Sequence, residues 1–199
     1  MAFTPEHLQK KQGTHRVLFV GSGPCGKTRL ITALVNEVHP PNTCDPLPTI
    51  GVDVTMRDID ELGRMHLWEL SGSSKFEKLL NALITTTTSV GVVLWSPSSI
   101  RTRRNGETNS SITQNMNWLQ TLQTNEIPVI HCMSKCDEST EEDRSFATKL
   151  GMIQISVETG KGIDILKHHI YEHCIQMSRE ECVDSESDND TCIIPFCCC

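Results

Sequence analysis

Gly21, Ser22, Gly23, Pro24, Cys25, Gly26, Lys27 and Thr28 run in series: a glycine, four residues, then Gly-Lys-Thr. That spacing suits a loop that holds phosphate. Its glycines let the backbone wrap so that N–H groups point at an anion. Lys27 has the reach to meet the outer phosphates of a nucleotide, and the Thr28 hydroxyl can ligate magnesium. By average residue usage, a chance match in a chain this size is on the order of one in a hundred.

A phosphate loop does not select a base. That chemistry is available in Ser134, Lys135, Cys136 and Asp137. A carboxylate at Asp137 can accept two hydrogen bonds from guanine's ring N–H and exocyclic amine, a pair that adenine does not offer. The Lys135 stem can lie along the base plane, and Ser156-Val157 can turn a backbone N–H toward guanine O6.

These groups need elements to carry them. Residues 15–21 read as a buried strand that ends in glycine, and 27–37 have helical apolar spacing. Residues 39–48 form a Pro-rich loop, 52–59 and 65–70 two strands joined by a turn near 61–63, and 75–84 a short helix. Further strands are expected at 90–95, 127–133 and 152–156, with helices at 112–122, 141–150 and 162–177; 97–109 is a polar, partly basic loop. Strands alternating with helices predict an α/β fold with a mainly parallel sheet covered on both faces. The phosphate loop then sits between a strand and a helix, where the helix N-terminus favours negative charge. Ser134 to Asp137 follow a strand end, where such folds place ligand contacts.

Composition bounds the alternatives. The chain has 199 residues, enough for one domain with a real core, and 37% apolar content. A net charge of −7 implies no broad basic surface for nucleic acid. The first residues are polar and lack the apolar core of a secretory signal, and 90–95 is far too short to span a bilayer. The ten cysteines are not spread as a disulfide framework; Cys192, Cys197, Cys198 and Cys199 crowd the end. A metal site at His131, Cys132 and Cys136 would lack a second ligand pair at zinc spacing. The expected organisation is a flexible segment at 1–13, one domain at 14–177, and an acidic, Ser-rich disordered tail at 178–199.

Four segments in order resemble the small GTPases of the Ras superfamily, and the Rab branch in particular. They are the phosphate loop, Pro48-Thr-Ile-Gly-Val-Asp53, Leu67-Trp-Glu-Leu-Ser-Gly72 and Ser134-Lys-Cys-Asp137. The resemblance implies a phosphate-loop NTPase fold with a six-stranded sheet and about five helices, and a cycle between GTP and GDP forms with magnesium. It implies that Thr49 closes onto magnesium beside Thr28 and Glu69, and that the Gly72 N–H senses the γ-phosphate. Loss of that phosphate would free both switch segments. Trp68 resembles a Rab feature, and plain core packing explains it equally well.

Departures from the family pattern carry their own expectations. Glu69 stands where the family has aspartate. Ser73 replaces the glutamine that orients the attacking water, and is too short to do so. Pro24 offers no N–H near the β–γ bridge, where charge builds up during hydrolysis. Intrinsic hydrolysis is therefore expected to be slow, about 10- to 1000-fold below an ordinary member on the scale of one lost oxyanion donor. Ser134 replaces an asparagine that ties the base loop to the phosphate loop, and residues 38–49 hold no Phe or Tyr to cover the guanine edge, so nucleotide retention is expected to be weaker. Val54 replaces a partner-facing Phe, which points to partners other than generic Rab effectors.

The terminal Phe196-Cys-Cys-Cys199 is not a C-a-a-X box but resembles the geranylgeranylated ending of Rab proteins, with Cys198 and Cys199 the implied sites and Cys197 spare or palmitoylated. Two lipid chains suffice for stable anchoring, and the acidic linker gives no polybasic help. Ile193-Ile194 resembles the apolar segment by which such tails meet an escort protein. The resemblance thus implies a monomer on the cytosolic face of an intracellular membrane, served by an exchange factor, a GTPase-activating protein, an escort chaperone and effectors. A divergent Rab-like scaffold with negligible hydrolysis, as in intraflagellar transport, remains the alternative. A phosphate-loop kinase or ATPase is disfavoured by Asp137 and by the lack of an arginine-rich lid beyond 101–104.

Overall fold

The computed structural model describes residues 14–36, 47–59, 63–76, 83–84, 88–101 and 110–187, the side chains of 179–187 excepted. Six strands form one sheet: β1 (Thr14–Val20), β2 (Val52–Ile59), β3 (Gly63–Leu70), β4 (Thr88–Trp95), β5 (Val129–Met133) and β6 (Ile153–Gln154). Their spatial order is β2-β3-β1-β4-β5-β6. β2 runs antiparallel to β3, and every other pairing is parallel. The expected α/β phosphate-loop architecture is therefore present.

The sheet interior is written in period-2 alternation. Val17 and Phe19 of β1 face one core with Val90, Val92 and Leu94 of β4, while Leu18, Val20, Val93 and Trp95 face the other. All eight residues of β4 are buried, as a central strand covered on both faces requires. Helices α1 (Lys27–Asn36) and α5 (Ile163–Ser187) close the first core, using Leu30, Ile31 and Leu34 with Leu166, Ile170 and Cys174 at helical spacing. Helices α3 (Ser110–Thr124) and α4 (Glu141–Lys149) close the second through Trp118, Leu122 and Ala147. A one-turn helix, α2 (Pro97–Ile100), is capped by a reciprocal Ser96–Ser99 box.

Some expectations shift. The helix expected at 75–84 begins as a 3-10 turn, Ser74–Phe76; residues 77–82 lie outside the described residues, and Ile84 is not helical. The last helix continues ten residues past Met177, to Ser187, into what reads in sequence as tail. No Gly or Pro interrupts 163–187, and Arg and Glu at 179–181 are good helix formers, so local propensity carries the helix on. The N-terminal segment, the 39–46 part of the Pro-rich loop and the terminal cysteines lie outside the described residues.

Candidate functional site

β1, β3, β5 and β6 are parallel in effect, so the segments after them emerge at one edge of the sheet, at the strands' carboxyl ends. Two cavities meet there. One, of about 410 Å³, is bordered by Pro24, Lys27, Thr28, Thr49, Glu69 and Ser73. The other, of about 120 Å³, is bordered by Cys25, Leu30, Ser134, Asp137 and Val157. Gly26, Arg29 and Lys135 line both. The phosphate and base motifs, more than a hundred residues apart, thus face a single elongated site.

Within the phosphate loop, several amides are used by the protein itself. Ser22 N–H donates to Asn115 Oδ1 (2.8 Å), Gly23 N–H to the Gly72 carbonyl (3.1 Å) and Cys25 N–H to the Gly23 carbonyl (2.9 Å). The glycine-loop amides expected to face phosphate are therefore partly committed elsewhere, and Pro24 has none. The α1 ladder begins with Leu30 N–H on the Gly26 carbonyl. The amides of Gly26, Lys27, Thr28 and Arg29 thus have no partner inside the helix and stand at the cavity mouth, where a helix N-terminus favours an anion. Gly26 holds φ of 89°, a left-handed conformation that suits glycine at this bend. Lys27 is buried and its ammonium donates to the Gly21 carbonyl at 2.8 Å, bracing the loop from within.

The metal side of the site comes together around one carboxylate oxygen. Glu69 Oε1 accepts from Thr28 Oγ1 at 2.7 Å and from Thr49 Oγ1 at 2.8 Å, and the two hydroxyls are 3.4 Å apart. Adjacent ligand oxygens of an octahedral magnesium ion, about 2.1 Å from the metal, lie about 3.0 Å from one another. The three oxygens bracket that spacing, and two hydroxyls with one carboxylate are hard oxygen donors of the kind magnesium takes, so the residues present fit the ion. With the longer side chain of glutamate in place of aspartate, the carboxylate is in direct contact with both hydroxyls.

The two switch segments are fastened to each other. Ser71 Oγ donates to the Thr49 carbonyl at 2.8 Å, and Ser71 N–H donates to the Gly51 carbonyl at 2.8 Å. Gly72 lies so close to the phosphate loop that a Cβ there would meet Gly23 N at 2.6 Å and Gly21 O at 2.9 Å. Ser73 borders the larger cavity, and its N–H donates to Ser71 Oγ at 3.3 Å.

At the base end, Asp137 is exposed on a 3-10 turn, Cys136–Glu138, that follows Lys135 in the left-handed region (φ 52°). Cys136 N–H donates to the Ile155 carbonyl at 3.0 Å, which fastens this turn to the loop after β6. Ser134 is buried, and both its N–H and its hydroxyl donate to the Trp95 carbonyl. It therefore anchors to β4 rather than to the phosphate loop, as loss of the asparagine amide implied. One expectation narrows: Ser156 N–H donates to the Lys161 carbonyl at 2.9 Å, so of the Ser156-Val157 pair only Val157 keeps an amide for guanine O6.

Asn115 and Ser71 escaped sequence reading. Asn115, in the middle of α3, is fully buried; besides accepting from Ser22 it donates Nδ2–H to the Leu94 carbonyl at 2.9 Å. Ser71 reads as a spacer inside a motif. An asparagine three and seven residues before the apolar Trp118 and Leu122, hence on their face of the helix, was the available signal for the first. Trp68 packs against the second core together with Val52 and Phe76, as the core-packing reading expects, and Arg16 lies over its ring at 4.4 Å.

Of the residues weighed as zinc ligands, burial pushes the Cys132 and Cys136 thiols up and lowers His131. Among the described residues no cluster of three His, Cys, Asp or Glu could hold a metal. Arg101, part of the only lid candidate, is paired with Asp143 at 2.6 Å. No described helix is long and apolar enough to cross a membrane.

Fold and site together define a Ras-superfamily GTP-binding switch domain. The family model described as "Ras of Complex, Roc, domain of DAPkinase" matches residues 16–137, from β1 through the base motif, and the chain belongs to that family. No curated protein matches the chain.

Proposed function

We propose that the chain is a Rab-like GTP/GDP switch of intracellular membrane traffic, prenylated on Cys198 and Cys199, with slow intrinsic hydrolysis. The observation that carries the switch reading is the meeting of Thr28, Thr49 and Glu69 at one magnesium-sized position, with Ser71 joining the two switch segments behind it. When bound, magnesium would be held by these residues and would neutralise charge on the β- and γ-phosphates. Lys27 and the α1 amides bind the phosphates, Asp137 and the Val157 amide read the base, and Gly72 senses the third phosphate. The Rab assignment rests on Pro48 to Asp53, on Trp68 and on the terminal cysteines.

Hydrolysis is slow in this reading because Pro24 cannot donate to the leaving oxygen and Ser73 cannot hold the attacking water. The Ser73 N–H, already turned to Ser71 Oγ, favours a second reading, a nucleotide-gated scaffold with negligible turnover. Mass identification of co-purifying nucleotide, with calorimetry against GTP, GDP and ATP, tests the binding. GDP or GTP held at micromolar levels and ATP rejected is the expected result; equal ATP binding sinks it. Single-turnover GTP assays with and without cell extract separate switch from scaffold, since only the switch accelerates with extract. Membrane pelleting of the chain and of a Cys198→Ser/Cys199→Ser variant tests the anchor.

A further inference from the structure

The junction between the two cavities is spanned by an ion pair that the phosphate and base motifs do not account for. Arg29, in the first turn of α1, places Nη2 3.2 Å from Glu158 Oε2, which lies just past Val157 in the loop after β6. The two residues are 129 apart in sequence. Helical side chains lean toward the helix N-terminus, which here is the side facing the base loop. Arg29 and Lys135 each border both cavities. A guanine nucleotide that fills both cavities must thread its ribose and α-phosphate between these two cationic side chains.

We propose that Arg29 and Glu158 form a clamp over the ribose–α-phosphate junction and set how long the nucleotide stays bound. This rests on the guanine-nucleotide reading of the site. The guanidinium has five N–H donors in a planar fork. One edge can stay on Glu158 while another meets an α-phosphate oxygen, a charge-assisted bond of the stronger kind. Arg29 is the phosphate-facing member, and Glu158 is a positioning residue that keeps the fork over the junction. The side chains are 26% and 42% exposed, so the ion pair itself contributes little to folding. The clamp also supplies cover at a guanine site whose 38–49 loop carries no aromatic side chain, and offsets the tie lost at Ser134.

Release of fluorescent GDP from the full chain in magnesium tests the clamp. Arg29→Ala is expected to speed release about 10-fold, the scale of one charge-assisted contact. Glu158→Ala is expected to speed it about 3-fold, and the double variant to match Arg29→Ala because the pair acts as a unit. Raising ionic strength should accelerate release from the wild type more than from Arg29→Ala, a difference that a purely structural role would not produce. Wild-type release rates in Arg29→Ala, or a double variant equal to the product of the singles, overturn the clamp while leaving the nucleotide reading intact. A wild-type chain that holds no GDP overturns both.

Discussion

At position 69 one methylene decides which atoms meet. Glu69 Oε1 touches the hydroxyls of both Thr28 and Thr49, so it acts as acceptor for two side chains that belong to different segments. A Glu69→Gln change keeps the shape and leaves an oxygen for those hydroxyls but removes the charge. The expected outcome is that the magnesium concentration needed to slow GDP release rises about 10- to 100-fold, the scale for losing a group that orients or supports metal ligands. Titrating magnesium against the GDP off-rate measures it, and an unchanged titration would remove Glu69 from the metal site. That this residue belongs to the site was legible, because it lies in a short contiguous motif. Its direct contact with the threonines was not, since side-chain reach depends on how far β3 stands from α1. Arg29 and Glu158 were illegible for a related reason: each reads as a solvated charge until the fold sets them face to face.

Among the elements, α3 has a task that its sequence conceals. Its buried Asn115 fills one acceptor with Ser22 N–H and gives one donor to Leu94, so the helix pins the start of the phosphate loop to the end of β4. Strands and helices were readable from apolar periodicity, but this polar contact spans 93 residues and no local pattern encodes it. Asn115→Ala leaves both backbone groups buried and unpaired, and the expected loss is about 3 kcal/mol by urea denaturation. A loss under about 0.5 kcal/mol, as for a surface site, would show that the loop does not depend on it. Helix α4 offers a pH test. Arg101, then the Thr140 amide and hydroxyl, hold the Asp143 carboxyl down at about 2, against an ordinary 3.8. A carboxylate depressed in the folded state stabilises fully above its unfolded value and loses that contribution as pH falls from about 4 through about 2. Asp143→Asn should therefore lower the melting temperature near pH 7, by a contribution on the order of 1–2 kcal/mol, and the gap should close by about pH 2. A gap that is constant with pH would assign the effect to packing.

For the molecule as a whole, the issue is how news of a phosphate at one end of the site reaches both switch segments. The chain of contacts is short: Gly23 N–H on the Gly72 carbonyl, Ser71 on Thr49 and Gly51, Thr49 on Glu69, and Thr28 on the same Glu69 oxygen. Each link joins the phosphate loop, the first segment or the second, so movement of any one disturbs the others. The tightest point is Gly72, where a Cβ would strike Gly23 N and the Gly21 carbonyl, atoms of backbone that cannot rotate away. Gly72→Ala must therefore lift the second segment off the loop, taking Ser71 and the first segment with it. The grip on GDP, which the proposed function places in Lys27, the α1 amides and Asp137, should survive. With a nonhydrolysable GTP analogue, the wild type should protect amides in both 47–51 and 71–76 from hydrogen exchange, relative to GDP. In Gly72→Ala that nucleotide-dependent difference should vanish in the two segments together, because Ser71 couples them. Loss of protection in 71–76 alone, with 47–51 still responding to the analogue, would mean that the segments read the phosphate independently and that the Ser71 tie does not transmit the switch.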